Sequence, residues 1–221
     1  MRATFLVLIA TAAAAVSTVA FADPEPPTPE QVAAASAKVD RLIKASGAPA
    51  AFGNLTASSF PLAVHRASGM RCGFETMRDA RLAAIPAAGD HGPGVRCEMT
   101  VGGYPVTYEI VGAATPATVD VLAERLLAAD RVGRPDLQIL SLDPKVQTVA
   151  PIRTLSYRFG DDDHARLVQA AVSVIGPWRL TIRLEDSYAR RGFDAAAAEK
   201  VLLLQLITQL DLINRKLREP D

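Results

Sequence analysis

Several residue types are scarce in this chain, and each scarcity excludes a class of protein. There are two cysteines, too few for a multi-bridge disulfide scaffold or a four-thiolate zinc site. Charge of one sign is not in excess: 24 Lys and Arg stand against 24 Asp and Glu. A protein that neutralises nucleic-acid phosphates needs a basic surplus, so nucleic acid is not an expected partner. Aromatics make up 5% of the residues, with one Trp, and there are three histidines. No G-x-S-x-G nucleophile elbow occurs, and the glycine-rich loop Gly89–Gly94 lacks the Lys-Ser/Thr of a P-loop, so no cofactor is implied. Internal repeats and long charge runs are also missing.

What the chain does have is apolar content. At 49% hydrophobic and 22% charged residues it can bury a core. The first 22 residues read as a signal peptide. Arg2 supplies a positive start, Ala3 to Ala20 form an apolar stretch, and Ala20-Phe21-Ala22 is a small-x-small cleavage site. Residues 23–28 are a Pro-rich tether, and 29–221 are expected to form one domain. Removing Arg2 with the leader leaves a net charge of −1. The expected destination is the periplasm, with secretion second. In an oxidising compartment Cys72 and Cys97 are most simply a structural disulfide.

Patterning predicts an α+β fold, a single two-layer domain with a mostly antiparallel sheet packed against about three helices. The first helix starts at Thr28 as N-cap, with Pro29 in its first turn and Gln31 completing a capping box. Val32, Val39, Leu42 and Ile43 form its stripe, and Gly47 ends it. Leu62 and Val64, then Met70, Cys72 and Phe74, alternate with other residues as half-buried strands. Between Val95 and Val111, Gly102-Gly103 predicts a tight hairpin. Its register puts Val95 opposite Ile110, Cys97 opposite Tyr108, Met99 opposite Val106 and Val101 opposite Tyr104. A one-residue slip would turn all eight outward. Cys97 then points inward, toward Cys72.

A second helix is expected over about Pro116–Arg131, capped by Thr115 or Thr118, with Val119, Leu122 and Leu126 as its stripe. Strands follow around Leu137–Leu142, Leu155–Phe159, Val168–Val174 and Trp178–Leu184. The last helix should begin after Asp194 and run to about Arg218. Such a layout resembles small exported α+β domains, the Mog1/PsbP-like shape among them. The resemblance is architectural and implies no activity.

Candidates for chemistry are few. Asp161, Asp163 and His164 are the alternative metal site, but they fall in a short connection where Asp serves turn formation and solvation. His65, His91 and His164 lie on separate segments and read as exposed imidazoles, and Ser68 as a bend residue. Asn54-Leu55-Thr56 matches the glycosylation acceptor pattern. The last helix carries more apolar surface than one sheet face needs. Leu203, Leu206, Ile207, Leu210 and Leu217 suffice for its stripe, leaving Leu202, Leu204 and Leu212 as an expected interaction surface. Interrupting polar residues argue against a transmembrane span after the leader. The favoured function is an exported, non-catalytic binding or interaction domain taking a protein partner or a small apolar ligand. The rivals are an exported, metal-assisted hydrolase using His164 and an envelope-assembly factor acting in a complex.

Overall fold

In the computed structural model the described residues are 26–87, 90–113, 115, 117–142, 146–147, 149–161, 164–187 and 195–219. Residues 1–25, Pro116, Pro144, Asp162, Asp163 and Asp194 lie outside them.

Helix α1 spans Pro29–Ala45, and both halves of the Thr28/Gln31 capping box form. A 3-10 turn at Pro49–Ala51 leads into a three-stranded sheet of β1 (Phe52–Asn54), β2 (Leu62–His65) and β3 (Arg71–Gly73). Next come β4 (Arg81–Ile85), β5 (Gly94–Val101), β6 (Tyr104–Gly112) and α2 (Val119–Gly133). Then follow β7 (Gln138–Leu142), β8 (Val146–Gln147), β9 (Pro151–Phe159), β10 (Arg166–Ile175), β11 (Trp178–Ser187) and α3 (Ala195–Arg218). The large sheet is antiparallel in the order β4-β5-β6-β11-β10-β9-β7, with β8 also pairing β9. The domain is therefore α+β. Among the described residues no helix is long and apolar enough to cross a membrane.

The β5–β6 hairpin forms in the register that its alternation dictates, Val95 to Ile110 through Val101 to Tyr104. Gly102 and Gly103 take φ of 57° and 83°, the left-handed pair this turn requires. On the polar side Arg96 and Glu109 form an ion pair at 2.7 Å.

The three helices do not share one face. Ala171 on β10 belongs to the main core with Ile182, Leu202, Leu206 and Val39. Its neighbour Ala170, on the opposite side of the pleat, belongs to a second cluster with Leu155, Tyr157, Ala123 and Leu127 of α2. Thus α1 and α3 serve the main core, while α2 covers β9 and β10 from behind. This explains why β10 is buried from Leu167 to Val172 without alternation.

Two phases differ from the sequence expectation. On β2 the buried residues are Ala63 and His65, while the bulkier Leu62 and Val64 are half-buried. Ala63 pairs with Cys72, so the inward-pointing cysteine sets the face and overrides side-chain size. On α3 the buried stripe is Ala198, Leu202, Leu206, Leu210 and Ile213, whereas Ile207 and Leu217 are exposed. Four consecutive apolar residues, Val201 to Leu204, fit more than one phase, and packing chose the one through Leu202. On α2 the cap is Thr118, and Ala123 and Leu127 join Val119 in the stripe.

The sulfurs of Cys72 and Cys97 are at bonding distance, with Cα atoms 6.2 Å apart. They couple the small sheet to the large one, and both are completely buried.

Candidate functional site

The amide side chains of α3 set the geometry of a groove beside it. Gln209 is buried and accepts from the Arg71 N–H at 2.9 Å while donating to the Arg71 carbonyl at 2.8 Å. It pairs with β3 as a neighbouring strand would and fixes α3 against the small sheet. One turn earlier, Gln205 accepts from the Tyr108 hydroxyl at 2.6 Å. Burial of that phenol pushes its pKa well above the ordinary range, so it stays a donor.

Between these anchors lies a groove of about 370 Å³, lined by Phe60, Leu62, Tyr108, Gln205, Thr208 and Leu212 among others. That volume falls in the small-ligand range. Phe60 is exposed at its rim. Of the three leucines expected on a contact surface, Leu212 lines this groove and Leu204 is 64% exposed on the outer side of α3. Leu202 does not belong with them. It is 2% exposed inside the main core, a correction that follows from the helix phase.

The histidines divide. His65 and His91 both pack on Trp178, with ring centroids 5.5 and 5.8 Å away. His164 follows β9 at the other end of β10, a strand length away. There its Nδ1 lies 2.8 Å from Asp161 Oδ1, and both side chains are exposed. Asp163, the third member of the alternative metal site, lies outside the described residues.

His65 was expected to be exposed and is instead 1% exposed, because the Cys72-pinned face of β2 turns it inward. Its Nδ1 sits 2.8 Å from Ser68 Oγ, and Ser68 Oγ accepts the Met70 N–H at 3.2 Å. A further hydrogen bond joins the imidazole to the Pro93 backbone. Proline offers only a carbonyl, so Nε2–H donates there and Nδ1 accepts from the Ser68 hydroxyl. Burial drives the imidazole pKa down to about 4, the Pro93 bond opposing it. Ser68 has no exposed surface, so this Ser–His pair is closed to substrate. Its role is to hold the turn between β2 and β3.

Sequence reasoning also missed a charged network on the α2 side of the sheet. The Tyr157 hydroxyl donates to Asp130, whose other oxygen takes Arg183 at 3.0 Å and Arg134 at 3.3 Å. Glu185 receives Arg183 at 3.0 Å and both Arg134 and Arg166 at 3.4 Å. The only signal was the polar side of β11, where Arg183 and Glu185 alternate with buried residues. Asn54, the candidate glycan acceptor, spends its amide on Ser36 and Asp40 of α1 at 2.8 to 3.0 Å.

No family model and no curated protein matches this sequence. Two solved structures are similar in outline. A protein of unknown function, PA94 from Pseudomonas aeruginosa, is 11% identical, covering 66% of this chain and 94% of that one, with a TM-score of 0.39. The cyanobacterial PsbP, CyanoP of Synechocystis sp. PCC 6803, is 14% identical, covering 72% of this chain and 91% of that one, with a TM-score of 0.42. Likeness at this level carries no argument about activity.

Proposed function

We propose that this protein works outside the cytosol, in the periplasm, as a non-catalytic binding domain whose groove beside α3 receives a small, largely apolar ligand. The observation that carries the reading is the groove itself. Phe60, Leu62 and Leu212 supply apolar walls, and the Tyr108–Gln205 pair offers polar groups for orientation. The leader-like first 22 residues and the paired cysteines support export. The buried Ser68–His65 pair argues against a nucleophile there.

The test is fluorescence titration of the mature protein with N-phenyl-1-naphthylamine. The expected result is saturable binding, weakened about tenfold or more by Leu212→Gln at an unchanged melting temperature. Absence of saturable binding, or equal affinity in the variant, would refute the groove as the site.

A further inference from the structure

Helix α3 has two faces, and only one of them meets the sheet. Ala198, Leu202, Leu206, Leu210 and Ile213 point into the core. At 3.6 residues per turn, the line on the opposite face runs through Lys200, Leu204, Ile207 and Asp211. Leu204 and Ile207 are 64% and 43% exposed, so two large apolar side chains stand one turn apart in solvent. They are separate from the groove on the flank of α3, which Gln205, Thr208 and Leu212 line.

The line advances by 4, 3 and 4 residues, the spacing of the a and d positions in a coiled-coil seam. Its two ends carry opposite charges placed symmetrically. Lys200 is four residues before Leu204, and Asp211 is four residues after Ile207. When a second α3 lies antiparallel to the first, with the two-fold axis between Gln205 and Leu206, each position meets its mirror position. Leu204 then meets the other copy's Ile207, and Lys200 meets the other copy's Asp211. A parallel pair would set Lys200 against Lys200 and Asp211 against Asp211. The seam therefore selects one orientation and one register, as charged layers do in helix pairs.

Both charges keep capacity for a partner. Lys200 is exposed and forms no ion pair among the described residues. Asp211 is held by Arg215 of the same helix through Oδ2 at 2.6 Å, while its Oδ1 has no partner among the described residues. A carboxylate that has one cation on one oxygen still accepts from a second.

We infer that α3 pairs with the α3 of a second copy of this chain, antiparallel and two-fold symmetric. Leu204 and Ile207 form the centre of the contact, and a Lys200–Asp211 ion pair closes it at each end. Two large apolar side chains per copy are few for an interface, so the pair is weak, half-associated at about 10–100 µM, and the dilute protein is a single chain. This contact is separate from the groove and stands whether or not an apolar ligand binds there.

The experiment is sedimentation velocity of the mature protein at concentrations on both sides of that range. The expected result is a reversible monomer–dimer equilibrium that Leu204→Glu weakens by about tenfold or more. Lys200→Glu and Asp211→Lys, each alone, should also weaken it by about tenfold, and both in one chain should restore it, because opposite signs meet again. None of the three positions is in the core, so the dilute variants should melt close to the parent. Four results would each overturn the proposal: a monomer at every concentration, a dimer indifferent to Leu204→Glu, single charge reversals without effect, or a double reversal that restores nothing.

Discussion

His65 Nδ1 and Ser68 Oγ are 2.8 Å apart in a pocket that water does not reach, and the imidazole is neutral there. Protonation would leave two N–H groups facing a hydroxyl and a carbonyl, and a charge among Phe52 and Trp178. Folding therefore favours the neutral form, and stability depends on pH.

The sign follows from the two pKa values. In the unfolded chain His65 titrates near 6.5, in the folded protein near 4. The unfolded state thus gains its proton first as pH falls. The stabilisation is complete above pH 6.5, declines through the interval, and is gone below about 4, a loss of about 3 kcal/mol. Urea unfolding at pH 7 and pH 4.5 measures it. His65→Gln should be less stable at pH 7 and show a smaller change between the two pH values.

Leu202 and Leu204, two positions apart on α3, should behave oppositely. Leu202→Ala empties core volume and is expected to cost about 2–5 kcal/mol. Leu204→Ala removes exposed surface and should stay within about 0.5 kcal/mol. Denaturation midpoints of the two variants decide this.

The Cys72–Cys97 link closes a loop across a sequence separation of 25 residues. Removing it with Cys72→Ala and Cys97→Ala together should lower stability by roughly 3–4 kcal/mol in the chain-entropy account. Thermal unfolding of the double variant against the oxidised parent provides the number. Equal stability would mean the link contributes no constraint.

Export has its own signature. Protein recovered from the producing cell should begin at Asp23 and have an intact mass two hydrogens below the reduced value, with no thiol open to alkylation. A retained leader or two free thiols would contradict the periplasmic reading.

The parts of the fold that the sequence made legible are those where patterning admits a single solution. The β5–β6 hairpin has alternating residues on both arms and Gly102-Gly103 between them, so one register satisfies it. The α1 cap is equally local. By contrast β4 is five residues with two alanines between Leu82 and Ile85, too short and too weakly patterned to stand out. His65 was hidden because Leu62 and Val64 suggest the opposite face, and only the pairing of Ala63 with Cys72 reverses it. The groove depends on Gln205 and Gln209 facing inward from a helix, where periodicity alone would assign polar residues to solvent.

Mapping the apolar ligand site residue by residue is the most direct check on the proposed function. In a titration of isotope-labelled mature protein with N-phenyl-1-naphthylamine, amide shifts should concentrate at Phe60, Leu62, Tyr108, Gln205 and Leu212, which border the groove beside α3. Shifts centred elsewhere, or none at saturating probe, would show that this groove is not where the protein binds.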